Sequence, residues 1–102
     1  GGTFAARVNY TTGGGPQGVA LGDINGDSTA DIAVANNDSP SWYVSVLSNN
    51  GNGTFAARVD YATGASPYGI AFGEVNGDGK LDMAVTNYNA GMSSTVSVFL
   101  NI

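Results

Sequence analysis

The sequence contains no cysteine and no histidine, and its only basic side chains are Arg7, Arg58 and Lys80. Without cysteine there are no disulfides and no thiolate ligands. Without histidine as well, Ser-His-Asp chemistry, histidine general bases and ordinary zinc sites are excluded. Eight acidic residues against three basic ones give a formal charge of −5, which argues against nucleic acid and anionic membrane as partners. No apolar run approaches the ~18 residues of a membrane-spanning helix, and no segment reads as a signal peptide. What is present is 42% hydrophobic residues and 16 glycines in 102 positions. That is enough apolar material for a core, in a length that suits one small domain or a slice of something larger.

The acidic residues are clustered. Of the eight, Asp23, Asp27 and Asp31 fall in one nine-residue window and Glu74, Asp78 and Asp82 in another. The charge is therefore local, unlike a general solubility charge. The two windows belong to an internal repeat. Gly-Thr-Phe-Ala-Ala-Arg-Val stands at Gly2–Val8 and again at Gly53–Val59, an offset of 51 residues. The same offset aligns Pro16 with Pro67, Asn25-Gly26-Asp27 with Asn76-Gly77-Asp78, and Asp31 with Asp82. Between Gly2–Asn36 and Gly53–Asn87, 21 of 35 positions are identical. After one inserted residue, Val44-Ser45-Val46 matches Val96-Ser97-Val98. Residues 1–102 thus read as one two-repeat unit, with repeat 1 at about 1–51 and repeat 2 at about 52–102.

The periodicity is that of strands. Phe4, Ala6, Val8 and Tyr10 alternate with Ala5, Arg7 and Asn9; Val19 and Leu21 alternate with Gly18, Ala20 and Gly22. Ile70 and Phe72 do the same against Gly69, Ala71 and Gly73. No 3.6-residue pattern persists for three turns, so helix is a poor reading. One face of these strands is bulky and the other is Gly, Ala or Ser, whereas a water-facing side would carry charge. Large/small alternation suggests sheets stacked on both faces. Four short strands per repeat of about 50 residues, packed this way, predict an all-β fold of two four-stranded β-propeller blades. A β-sandwich is the alternative, but it does not explain the identity between the copies.

The run Gly22-Asp23-Ile24-Asn25-Gly26-Asp27, then Asp31-Ile32-Ala33-Val34-Ala35-Asn36, then Val44-Ser45-Val46-Leu47 and Gly51-Asn52-Gly53-Thr54-Phe55, resembles the FG-GAP/VCBS-type repeat. That repeat also builds the β-propeller of integrin α subunits. The resemblance covers essentially the whole chain, although Phe-Gly itself survives only at Phe72-Gly73. It implies a four-stranded blade with a calcium loop between its first two strands, and extracellular adhesive, carbohydrate-associated or cell-surface roles.

Spacing independently points the acidic windows to a metal. Copy one reads Asp23-x-Asn25-x-Asp27-x-Thr29-x-Asp31, and copy two Glu74-x-Asn76-x-Asp78-Gly79-Lys80-x-Asp82. Side-chain oxygens at loop positions 1, 3, 5 and 9, with the backbone carbonyl of Thr29 or Lys80 at position 7, can converge on one point. A hard cation such as Ca²⁺ takes about six to eight oxygens. Carboxylates about 5 Å apart repel by about 3 kcal/mol at an effective dielectric near 20, a strain that a cation relieves. Two Ca²⁺ ions, one per repeat, are expected. The loops are not EF-hands, because Val34 and Val85 stand where that loop needs its last Glu. The competing reading of Asn-Gly-Asp is a hairpin turn closed by Asx hydrogen bonds.

If the family's strand order holds, the first blade runs Gly18–Ile24, Asp31–Asn36, Tyr43–Leu47 and Thr54–Tyr61. The second runs Gly69–Val75, Asp82–Asn87 and Thr95–Leu100, and its fourth strand is written at Thr3–Tyr10. Two blades cannot close a ring, so completion by oligomerisation or by further repeats is expected. Thr3–Tyr10 of one chain would pair with Thr95–Leu100 of the next, head to tail, as a ring or a filament; the alternative is a fragment of a longer tandem protein. Asn9 and Asn52 head glycosylation sequons. Trp42, Tyr43, Tyr68 and Tyr88 could stack on sugars or cap a core. Tyr10–Gly15 and Met92–Thr95 read as loops, and Arg7 and Arg58 as solvated edge charges. The functional expectation is a non-enzymatic, extracellular or cell-surface calcium-binding module serving adhesion or structural assembly. A lectin-like carbohydrate binder is the second reading, and a fragment of a polysaccharide lyase the third.

Overall fold

The computed structural model describes residues 2–89 and 94–102. Seven strands follow one another: β1 (Pro16–Gly22), β2 (Asp31–Asp38), β3 (Ser41–Leu47), β4 (Val59–Ala62), β5 (Pro67–Gly73), β6 (Asp82–Asn87) and β7 (Thr95–Phe99). No helix occurs among the described residues. The strands form two antiparallel meanders, a four-stranded sheet β1-β2-β3-β4 and a three-stranded sheet β5-β6-β7. The repeat is visible in the ladders. Val19 faces Val34 and Leu21 faces Ile32 in the first sheet, while Ile70 faces Val85 and Phe72 faces Met83 in the second. These are the same partners displaced by the repeat offset. The all-β architecture fits propeller blades.

The core lies between the sheets. Ala33 and Val44 of the first sheet meet Met83 and Val85 of the second, with Val46, Ile70, Phe72 and Phe99 packed around them. Val44 and Val85 are completely buried, and full burial of such side chains contributes about 1.5–3 kcal/mol each. The large/small alternation explains how the sheets approach. A Cβ placed on Gly18 would stand 2.3 Å from the Tyr68 carbonyl oxygen, and one on Gly22 would stand 2.9 Å from the Phe72 ring. The small face of β1 therefore receives the bulky face of β5. The opposite, bulky face of β1 is uncovered, with Val19 65% and Leu21 64% exposed.

Two sequence expectations are corrected. First, β1 is shifted toward Pro16 and ends at Gly22, because Ile24 already belongs to the loop that Asp31 closes. Second, Thr54–Tyr61 is not one strand. Phe55 makes an isolated bridge to Asn49, and regular pairing resumes only with Val59 opposite Val46. The two registers differ by one residue, so the intervening stretch bulges out of the ladder. Thr3–Tyr10, expected to pair with a second chain, lies in no ladder among the described residues of one chain, and Phe4 and Val8 stand exposed. The loop expected at Met92–Thr95 lies partly outside the described residues, and Thr95 itself opens β7. Arg58 is no free edge charge: its Nε lies 3.4 Å from Asp60 and an Nη donates to the Thr12 carbonyl.

Candidate metal centre

Both acidic loops are turns that join the first two strands of a sheet. In the first, Gly26 adopts φ +78° and Ser28 +68°; in the second, Gly77 and Gly79 both adopt +78°. Glycine is at ease in this left-handed region, and Ser28 shows that the second such position tolerates a side chain. These bends turn the backbone N–H groups inward, toward the position-1 carboxylates. Asp23 Oδ1 accepts from the N–H of Gly26 at 2.9 Å and of Asp27 at 3.2 Å, and its Oδ2 accepts from Ser28 at 2.8 Å. Glu74 Oε1 accepts from Asn76 at 3.1 Å and Gly77 at 2.6 Å, and its Oε2 from Gly79 at 3.3 Å. The longer Glu side chain thus reaches the same N–H cradle as Asp.

The middle of each loop is held by short-range bonds. Asp27 Oδ1 accepts from the Thr29 hydroxyl at 2.7 Å and the Thr29 N–H at 3.0 Å. Those two bonds, the hydroxyl first, hold the Asp27 carboxyl below its ordinary value. Asn25 Oδ1 accepts from the Asp27 N–H at 3.3 Å. In the second loop Asp78 Oδ1 accepts from the Lys80 N–H at 3.0 Å. The Asn76 amide, turned with its nitrogen inward, bridges Glu74 Oε1 at 3.2 Å and Asp78 Oδ1 at 2.9 Å. The Asx-turn reading and the metal reading therefore share the loop backbone and the gathered carboxylates, and differ at Asn76, whose amide would turn its oxygen inward on a cation.

The position-9 carboxylates are the buried ones, Asp31 and Asp82, each 1% exposed. Asp31 Oδ2 accepts from the Ile24 N–H at 2.9 Å and its Oδ1 from Asn49 at 2.8 Å. Asp82 repeats this with Val75 at 3.0 Å and Asn101 at 2.8 Å. These bonds, Val75 first and Asn101 second, hold the Asp82 carboxyl below its ordinary value. Each buried Asp thus ties the base of its loop to the chain leaving the third strand. Asn49 and Asn101 complete the tie: Asn49 Nδ2 donates to the Ala30 carbonyl, and Asn101 Nδ2 to those of Leu81 and Ile24. Sequence reasoning missed this pair, although Asn49 and Asn101 stand at the same 52-residue offset as Val44-Ser45-Val46 and Val96-Ser97-Val98.

Of the ten residues expected at the two sites, Glu74, Asp78 and Asp82 converge, each offering a carboxylate oxygen within 4.8 Å of the others. This is the one such trio among the described residues. In the first loop Asp23 and Asp27 are linked through the Asp27 N–H, and Asp31 closes the loop base. Thr29 and Lys80 take part through their N–H groups, bonded to the loop carboxylates. The donor set is oxygen-rich, with no nitrogen or sulfur ligand type available, and it suits a hard divalent cation.

The FG-GAP-like repeat family matches residues 23–85, a span that includes both loops. Over 89 residues the chain is 34% identical to mouse Cartilage acidic protein 1, covering 83% of this chain and 13% of that protein. Human Cartilage acidic protein 1 is 34% identical over 88 residues, and that of Xenopus tropicalis 35% over 87 residues. The chain therefore spans about an eighth of the length of these relatives. No solved structure matches it.

Proposed function

The chain belongs to the FG-GAP-like repeat family, and on that premise we propose that it is a non-catalytic, extracellular calcium-binding blade module with a structural or adhesive role. The observation that carries this reading is the convergence of Glu74, Asp78 and Asp82 within 4.8 Å on a loop whose backbone bends are repeated around Asp23, Asp27 and Asp31. Glu74, Asn76, Asp78, the Lys80 carbonyl and Asp82 would hold one Ca²⁺, and Asp23, Asn25, Asp27, the Thr29 carbonyl and Asp31 the other. Bound calcium would neutralise the carboxylates and stiffen the loop, with no bond chemistry implied. Relatives named for cartilage and for acidity support a module outside the cell. A lyase is disfavoured, because Arg58 is already engaged by Asp60 and Thr12 and few basic groups remain to act as a base.

Isothermal titration with calcium tests the reading. The protein is expected to bind two ions, Asp27→Ala and Asp78→Ala one each, and the double variant none. Equal heats from the parent and the double variant would remove the metal assignment. A lectin-like role is the second reading, on the observation that Tyr68 and Tyr88 are 57% and 63% exposed and line one open groove with Thr86, Thr95 and Val96. A glycan array in calcium buffer separates the two, silence favouring the structural role.

A further inference from the structure

The chain contains one complete sheet-to-sheet interface and, on its two outer faces, the two separate halves of another. In the complete one, β4 of the first sheet pairs with β3, placing Val59 opposite Val46, Asp60 opposite Ser45, Tyr61 opposite Val44 and Ala62 opposite Tyr43. Asp60 Oδ1 accepts from the buried Ser45 hydroxyl at 2.7 Å, and that hydroxyl accepts from Asn36 Nδ2 at 2.9 Å. Tyr61 then leans across onto Phe99 of the second sheet, ring centres 6.4 Å apart.

The second sheet carries the same polar chain, cut short. Asn87 Nδ2 donates to the Ser97 hydroxyl at 2.8 Å, as Asn36 does to Ser45. Among the described residues no strand pairs with the outer edge of β7, where Val96 and Val98 are 61% and 56% exposed. The matching strand sequence, Arg7-Val8-Asn9-Tyr10, repeats Arg58-Val59-Asp60-Tyr61 with Asn9 in place of Asp60 and lies in no ladder. Tyr10 nonetheless already rests against the first sheet: it meets Phe55 edge-on at 5.4 Å and shares a pocket with Leu47, the counterpart of Phe99. It sits on the first sheet as Tyr61 sits on the second. The segment is thus docked on one side and unpaired on the other.

The flat faces agree. Inside the chain the small face of β1 receives Ile70 and Phe72. Gly73, the counterpart of Gly22, has no atom within 4 Å of a built Cβ, while Val19 and Leu21, the counterparts of Ile70 and Phe72, are exposed. We propose that a second copy of this chain completes the three-stranded sheet, its Arg7–Tyr10 pairing with β7 while its Val19 and Leu21 pack on the Gly69, Ala71 and Gly73 face. The register follows from the complete interface. Val8 of the second copy faces Val98, Asn9 faces Ser97 and accepts a hydrogen bond from its hydroxyl through Oδ1, and Tyr10 faces Val96. Arg7 donates to the Thr63 carbonyl, as Arg58 does to that of Thr12. The groove lined by Tyr68, Thr86 and Val96 is then filled by protein, because its counterparts Ala35 and Val44 in the first sheet are fully buried. The contact is head to tail, so it closes into a ring or grows as a filament.

Size-exclusion chromatography with light scattering on the 102-residue chain reads the outcome. The expected mass is a multiple of 10.2 kDa, discrete for a ring and rising with concentration for a filament. Two variants bind the result to this surface. Val8→Pro removes an N–H from a segment that makes no ladder within one chain. Gly73→Val adds bulk where one chain has none nearby. Both are expected to keep the parent circular dichroism spectrum and to shift the protein at least tenfold toward monomer. A parent that stays at 10.2 kDa across the accessible concentration range overturns the proposal, as does undiminished association of both folded variants. Run in both calcium and EDTA, the readout is a mass and not a metal occupancy, so a monomer in both buffers overturns this proposal and leaves the metal reading to its own titration.

Discussion

Asp31 shows how one side chain serves both the turn and the site. Each of its two oxygens takes one backbone N–H, from Ile24 and from Asn49, while the residue is 1% exposed. Asparagine at that position keeps the shape but replaces one acceptor by a donor. One of those N–H groups would then face an amide nitrogen on a side chain that is 1% exposed. Leaving a buried donor unpaired costs about 1–3 kcal/mol. Asp31→Asn is accordingly expected to lose that much stability in urea titrations run in EDTA, where calcium contributes nothing. Asp27→Asn, in an exposed loop position, is expected to stay near the parent under the same conditions. If the two variants unfold alike, the buried tie at the loop base is not what holds the turn.

Between the strands, the decisive feature is the small face of β1. The atom that a Cβ on Gly18 would meet is a backbone carbonyl oxygen, which cannot swing aside as a side-chain tip could. Overpacking of this kind costs about 1–3 kcal/mol. Gly18→Ala is expected to lower the melting temperature, and a variant as stable as the parent would mean that the sheets are not in the contact described. This face was readable beforehand, because the Gly/Ala alternation has period 2 and a water-exposed strand would not be built so. The two hairpins around the acidic loops were readable for the same reason, with the repeat offset fixing both at once. What stayed hidden depends on partners rather than on pattern. Thr3–Tyr10 has the alternation of a strand, but a strand exists only where another edge accepts its hydrogen bonds, and the edge expected for it belongs to a second chain. The break in Thr54–Tyr61 arises from a one-residue slip after the turn at Ser48–Gly53, which copy-to-copy identity cannot reveal. Asn49 and Asn101 escaped because they lie far in sequence from the loops they brace.

Charge couples the two proposals for the molecule as a unit. The acidic loops are equivalent turns at the same end of neighbouring sheets, their bases in contact through Asn101 Nδ2 and the Ile24 carbonyl at 2.6 Å. Head-to-tail assembly would extend that row, lining one rim of the assembly with carboxylates from every copy. Six loop carboxylates per chain make that rim oppose association, and two calcium ions per chain would bring the net charge of the chain from −5 to −1. Like charges several ångströms apart at a surface interact across a Debye length of about 10 Å at 0.1 M salt, so screening can replace part of the effect of the ion. Association measured by sedimentation velocity is therefore expected to tighten several-fold when EDTA is exchanged for calcium. In EDTA it is expected to recover partly as sodium chloride rises from about 20 to about 200 mM. The Asp27→Ala/Asp78→Ala double variant, with two fewer charges in those loops, should assemble in EDTA at least as well as the parent and no longer respond to calcium. An association constant that is the same in calcium and in EDTA for the parent would show that the rim charge does not govern assembly, and the loops would then be local braces alone.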